Sequence, residues 1–223
     1  MPTAFGRAML ETIGGNPQQF RMNMQGGPSI TMNCRDFMTL RQEERGLLDA
    51  IDLPDQGSLL DYGCGIGRHL AYMRSRDVTV RCFGIEICDL MRDYCRQAIA
   101  APATFVRAFR ELPERQYDLI MLMGNGLGVL GEEQIAASSL QTLIRSLSPD
   151  GRMVIETGNP FGHGYYVANF TIGYQEHHDA RFLWGYSDRD WLSETLNGFG
   201  CDFAFRESHA PGGMFFFAVA QRR

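Results

Sequence analysis

The stretch Leu59-Leu60-Asp61-Tyr62-Gly63-Cys64-Gly65-Ile66-Gly67-Arg68-His69 decides the fold. Two leucines ahead of an acid read as a buried strand end. Three glycines at alternate positions then let the backbone turn sharply and come close to a ligand. A helix starting at Gly67 would aim unpaired N–H groups and a positive dipole end back at that turn, which suits a carboxylate. A ligand-free strand-to-helix turn rarely concentrates so many glycines.

Working outward from this loop, short apolar runs alternate with helical patterns from about residue 36 to residue 160. That alternation predicts βαβ units around a parallel sheet. A first helix over 36–51 begins at Asp36 and stops before Pro54 and Gly57. Strands follow at 58–62, 79–85, 104–107, 117–123 and 152–157, with helices at 67–76, 89–99 and 131–147 between them. Ser148-Pro149-Asp150-Gly151 reads as a turn. Residues 201–208 and 214–221 form a hairpin joined near Pro211-Gly212-Gly213, after a capped helix over 188–196. The expected fold is α/β: a Rossmann-like, doubly wound, seven-stranded sheet with a C-terminal antiparallel hairpin.

Two regions stand apart. Residues 1–35 fit no strand template and are broken by Gly14-Gly15-Asn16-Pro17 and Gly26-Gly27-Pro28. They read as an N-terminal cap or lid, and Met1, Met9, Met22, Met24 and Met32 would make it adaptable. Residues 36–223 form the main domain, with an aromatic-rich insertion at about 158–187. Within it, 169–186 fits either two strands or an irregular segment. Residues 158–223 hold 15 of the 25 aromatics, so Phe161, Tyr165, Tyr166, Phe170, Trp184 and Trp191 could wall a pocket.

Length and composition narrow the classes. The 223 residues suit one domain with a full core. A net charge of −5 argues against general nucleic-acid binding, which needs a basic face. No apolar run is long enough to span a bilayer, and the N-terminus lacks the pattern of a secretory signal. The six cysteines show no CxxC spacing, so no metal site is expected. Reduced cysteines point to the cytoplasm. Nothing in the sequence sets an oligomeric state.

The loop pattern is DxGxGxG, with Arg68 where a dinucleotide fingerprint would carry its last glycine. It resembles motif I of the class I S-adenosylmethionine-dependent methyltransferases, over roughly residues 38–221. The resemblance implies that Asp61 and the backbone of Gly63, Cys64, Gly65 and Gly67, with Arg68, hold the methionine part of S-adenosylmethionine. Glu86 ends the second strand, where a carboxylate can accept both hydroxyls of a ribose. Ile87 would then lie on the adenine. Residues 107–113 resemble the segment in which many relatives carry an Asp toward the adenine amino group. Ala108 stands in its place, which leaves the Phe109 backbone.

Residues 117–128 resemble motif IV, whose strand end lies beside the transferable methyl, so Met123 and Gly124 join the cofactor set. Asn125 either orients the acceptor or simply serves the turn. Methyl transfer from a sulfonium is an in-line displacement that mainly requires positioning. Base candidates are His163, His177, His178, Tyr165, Tyr166 and Glu156. Asn125, Glu156, Tyr165 and His163 are the candidate catalytic residues. The expected function is methylation of a small molecule or peptide, with an amine ahead of a hydroxyl. The wording of 124–128 is similar to that of natural-product and peptide α-N-methyltransferases. A nicotinamide oxidoreductase and a catalytically silent binding module are the rival readings.

Overall fold

The computed structural model describes residues 3–99, 102–113, 116–208 and 215–223. The chain opens with α1 (Ala4–Ile13), whose first turn is capped where Thr3 Oγ1 accepts from the Gly6 N–H at 2.9 Å. A hairpin of β1 (Gln19–Met24) and β2 (Ser29–Asn33) follows, then α2 (Gln42–Asp49). The alternating part runs β3 (Ser58–Tyr62), α3 (Arg68–Arg76), β4 (Arg81–Ile85), α4 (Asp89–Ala98), β5 (Ala103–Val106), β6 (Tyr117–Leu122), α5 (Glu133–Arg145) and β7 (Leu147–Gly158). The remainder comprises β8 (Tyr165–Tyr174), the short β9 (His177–His178), β10 (Phe182–Ser187), α6 (Arg189–Gly198), β11 (Cys201–Glu207) and β12 (Phe215–Arg222).

The larger sheet has the order β11-β12-β7-β6-β3-β4-β5. Its five central and edge strands from β7 to β5 are parallel, and β12 and β11 add as an antiparallel pair. Alternation within the strands supplies two separate cores. Leu60, Ile120, Leu122, Met153 and Ile155 pack with Leu140, Leu143 and Ile144 of α5 and Leu192 and Leu196 of α6. Leu59, Leu119, Met121 and Val154 face the other way, onto Leu47 and Leu48 of α2, Leu70 and Met73 of α3, and Cys95 of α4. Each such side chain contributes roughly 1.5–3 kcal/mol on burial. Chain order reverses between β3 and β6, so the strand ends there open a crevice for a ligand.

A second sheet, β10-β8-β1-β2 with β9 on β8, is wholly antiparallel. It corrects the reading of the N-terminal segment, which contains two strands after all. Arg21 pairs with Gly173 and Met24 with Phe170, so the hairpin is completed by a strand about 150 residues away. Residues 169–186 are accordingly strands, not an irregular insertion. An isolated hairpin is marginal in water, and only the distant partner makes it stable.

Three boundaries also move. The single helix expected over 36–51 divides into a 3-10 turn at Cys34–Phe37 and α2. The turn is closed by Asn33 Oδ1, which accepts from the Arg35 N–H at 3.0 Å. Helix α2 starts afresh where Glu44 Oε2 accepts from the Arg41 N–H at 2.6 Å. Residues 148–151 are not a free turn but an irregularity inside β7, between the pairs Tyr117–Leu147 and Leu119–Arg152. The joint expected near Pro211-Gly212-Gly213 lies outside the described residues. No helix among the described residues is long and apolar enough to cross a membrane.

Candidate active site

The loop after β3 is tied to the neighbouring strand end. The N–H groups of Gly63 and Cys64 both donate to Ile85 O, at 2.9 and 3.0 Å. Gly63, Gly65 and Gly67 take φ values of 75, 56 and 75°, which an L side chain rarely adopts. A Cβ at Gly65 would meet nothing within 4 Å, so the outer side of the loop is an open cradle. The inner side is packed: a Cβ at Gly67 would strike Ile99 Cδ1 at 2.5 Å. The Cys95 thiol donates to Gly65 O at 3.3 Å, and its hydrogen bond with Cys64, together with burial, raises the Cys64 pKa well above the usual thiol range.

Glu86 follows β4 directly and is buried. Its Oε1 accepts from the Cys88 N–H at 2.8 Å and its Oε2 from the Gly65 N–H at 2.9 Å. Burial pushes its pKa up to about 7, while those two N–H groups and Arg92 work against the rise. Arg92 donates to Glu86 O at 2.6 Å and pairs with Asp89, which pins the strand end from α4. Ile87, the next residue, is 59% exposed beside this carboxylate. Each Glu86 oxygen keeps a further lone pair beyond the one N–H it accepts, so a diol could add to it with a flat apolar group against Ile87.

Asp61 and Arg68 are turned elsewhere. Asp61 is buried, with Oδ2 at 3.3 Å from His69 Nδ1 on α3. Arg68 Nη2 donates to Glu44 Oε1 at 2.7 Å and Nη1 to Thr39 O at 2.5 Å. The two side chains assigned to the cofactor therefore brace α3 and α2, and the loop backbone is left to face a ligand. Behind the loop runs a chain of buried charges. His69 Nε2 lies 3.6 Å from Glu44 Oε1, Arg41 Nη2 donates to Glu44 at 3.0 Å, and Arg41 also pairs with Glu156. Burial would lower the His69 pKa, but Asp61 and Glu44 on either side raise it above the usual value. Burial would raise Glu44, yet His69, Arg68 and Arg41 hold it down to about 2.

At the end of β6 the candidate bases are engaged. Glu156 Oε2 accepts from the Gly124 N–H at 2.8 Å, and Oε1 takes Arg41 and the Ser208 hydroxyl, the latter at 2.8 Å. Asn125 Nδ2 donates to Gly185 O at 3.2 Å and Oδ1 accepts from Thr157 Oγ1 at 3.0 Å, which ties β6 to β10. Tyr165 donates to Gly131 O at 2.9 Å, and burial followed by Glu133 raises its pKa. The His163 side chain is fully exposed, 3.8 Å from Asp188. Glu156, Asn125 and Tyr165 are thus held by hydrogen bonds to the protein, whereas His163 lies exposed between β7 and β8. His177 and His178 pair with Tyr174 and Gly173 respectively, so they point to opposite faces, as their spacing predicts.

The sequence profile of a methyltransferase domain matches residues 38–195, well over half the chain. The chain belongs to the class I S-adenosylmethionine-dependent methyltransferases. Its fold is similar to that of a SAM-dependent methyltransferase from Bacteroides fragilis in complex with S-adenosyl-L-homocysteine. The TM-score is 0.81 at 17% identity, over 100% of this chain and 97% of that one. The glycopeptide N-methyltransferase MtfA, complexed with S-adenosylmethionine, matches with a TM-score of 0.57 at 13% identity, over 81% and 86% of the two chains. The sugar N-methyltransferase KedS8 from a Streptoalloteichus species matches at 0.52 and 17% identity, over 76% and 82%. No curated protein matches in sequence. These identities establish the fold and leave the acceptor open.

In this methyltransferase the cradle, Glu86 and Ile87 fit the cofactor of the family. Met123 is core, packed with Met121, Val154 and Phe217, so only its backbone borders the site. Phe109 packs on Tyr62, Leu143 and their neighbours, while Ala108 leads into the short 3-10 turn Phe109–Glu111. Sequence reasoning missed Arg41, Glu44 and His69. A capping acid beside basic residues was visible, but the carboxylates they meet come from β3 and from β7. It also missed Gly128, where a Cβ would meet Trp184 Cδ1 at 2.6 Å and Gly185 O at 2.7 Å.

Proposed function

We propose that this methyltransferase transfers the methyl group of S-adenosylmethionine to an amine of a small molecule or peptide, in biosynthesis in the cytoplasm. One observation carries the choice of an amine. Glu156, Asn125 and Tyr165, the polar side chains nearest the β6 end, already spend their hydrogen-bonding atoms on the protein. An α-amine, with a reference pKa of about 7.7–8.0, keeps a usable neutral fraction near neutral pH and needs no strong base. A hydroxyl acceptor would more often need one. The N-methyltransferases among the structural neighbours are in keeping with this reading.

The parts divide the work. S-adenosylmethionine, when bound, supplies an electrophilic methyl on a sulfonium. Glu86 would accept the ribose hydroxyls, Ile87 would cover the adenine, and the Gly63–Gly67 backbone would receive the methionine end. Gly124, fixed by Glu156, would border the reacting methyl with its backbone. The protein's contribution is alignment of a lone pair opposite the leaving sulfur.

Mass spectrometry on matched acceptors tests the reading. A primary amine should gain one or more methyl groups at pH 7.5, while the phenol of the same body should not. Methylation of the phenol alone would overturn it. In calorimetry, S-adenosylhomocysteine should bind and NADH and NADPH should give no heat.

A further inference from the structure

The second sheet sorts its side chains by face. Residues paired directly across its strands share a face, and the register puts Met22 with Ile172, Met24 with Phe170, Trp184 with Ala168 and Tyr186 with Tyr166. On that side the four main strands carry no charged residue. The opposite side is mixed, with Arg21, Asn23, Asn169, Thr171 and Ser187 beside Tyr165, Val167 and Leu183. The uncharged, Met- and aromatic-rich side is the one suited to meet something apolar.

At one end that cover is protein. Helix α1 lies there, and Ala8, Met9, Phe20 and Tyr174 form a core with Met91 of α4, against which Ile66 of the glycine loop packs. At the other end the sheet sits on the β6 loop. Trp184 fills the space that a side chain on Gly128 would need, and Asn125 holds Gly185 O. The core under this face thus reaches the donor loop at Ile66, and the face itself meets the motif IV loop through Trp184. Between these contacts lie Met24, Phe170, Tyr186 and Tyr166, with the Phe161 ring 4.5 Å from Tyr166 and 5.2 Å from Tyr186. Among the described residues seven large apolar side chains are exposed. Four of them, Ile30, Phe161, Tyr166 and Val129, lie on this sheet, on its connections or in the loop after β6.

We infer that this face binds the apolar, aromatic body of the methyl acceptor and presents its nucleophile to the two loops. The inference rests on the amine reading above and adds the class of substrate: an arylalkylamine or a peptide terminus with an aromatic side chain, not an amino sugar. A face without charge offers few hydrogen-bonding partners to a polyhydroxylated ring. It offers ring stacking, and Tyr186 and Trp184 can attract a protonated amine as it enters.

The test uses the full chain with S-adenosylmethionine and four acceptors: tryptamine, 4-ethylphenol, glucosamine and glucose. Turnover of tryptamine should exceed that of glucosamine by at least about tenfold in kcat/KM. Tyr186→Ala should raise the KM for tryptamine about tenfold and leave the Kd of S-adenosylhomocysteine within about twofold. Met24→Gln provides the same reading should Tyr186→Ala fail to fold. A preference for glucosamine overturns the apolar face and leaves the amine reading intact. Methylation of 4-ethylphenol without tryptamine overturns the amine reading and leaves the face standing. The inference also falls if tryptamine does not bind the protein saturated with S-adenosylhomocysteine. It falls equally if Met24→Arg turns a dimer into a monomer by light scattering, because the face would then join two copies.

Discussion

The two sheets of this methyltransferase differ in how their strands find partners. In the seven-stranded sheet, β3, β4 and β5 are joined by single helices and pair side by side. In the five-stranded sheet, β1 must find β8, about 150 residues further along the chain. The first sheet is buried on both faces, and the glycine loop and Glu86 follow two of its strand ends. The second has one face without charge, and that face meets the loop after β6 through Trp184. The donor site proposed above thus draws on the region with the most local folding information, and the proposed acceptor face on the region with the least.

The largest test of this division acts on the buried charges that brace the first sheet. Arg41→Ala leaves Glu44 and Glu156 buried with fewer partners, and breaking such a pair typically costs about 3 kcal/mol or more. Denaturant unfolding should show that loss. Unchanged stability would mean that Ser208 and Arg68 suffice to hold the two acids.

Glu86→Ala should weaken S-adenosylhomocysteine binding roughly 100-fold, the scale of one or two hydrogen bonds to a charged group. Calorimetry should show it, with the loss of affinity larger than any loss of stability seen in the melting temperature. Equal affinity in the variant would remove Glu86 from the ribose site.

Gly128→Ala probes the seam between the sheets. Its Cβ would press on Trp184 and on Gly185 O, costing about 1–3 kcal/mol of overpacking. Donor binding should survive and acceptor turnover should fall. If donor binding falls equally, the sheets are one energetic unit and the comparison above breaks down.

The smallest effect is a pH dependence. Glu86 titrates near 7 in the folded protein because burial disfavours its charge. S-adenosylhomocysteine affinity should therefore rise about tenfold from pH 6 to pH 8 as the carboxylate ionises. Stability runs the opposite way. Below the ordinary value of 4.5 the group is protonated in both states, and between 4.5 and about 7 only the unfolded chain ionises. Its contribution to stability therefore falls through that window and is level above it. Glu86→Gln should flatten both profiles.

The glycine loop, the acid at the end of β4 and the order of the parallel strands were legible because each is a local pattern. Apolar runs bounded by turns, and glycines in a forced conformation, need no distant partner to be recognised. The N-terminal strands were not legible. Gln19–Met24 alternates only polar residues with methionine and phenylalanine, and its pairing energy comes from β8. The roles of Glu156, Tyr165 and Asn125 failed to show for a similar reason. Their residue types suit catalysis, yet Arg41, Gly131 and Gly185 claim their polar atoms from elsewhere in the chain.

The sequence by itself determined the methyl donor, because a sulfonium cofactor is received by a short contiguous loop whose backbone geometry glycine spacing dictates. Tertiary structure alone decided which side chains are free to act, since a buried polar atom is assigned by whichever group folding brings within hydrogen-bond reach. It also decided that residues 19–33 and 165–187 share one sheet. A strand's hydrogen bonds do not record in sequence which partner will satisfy them.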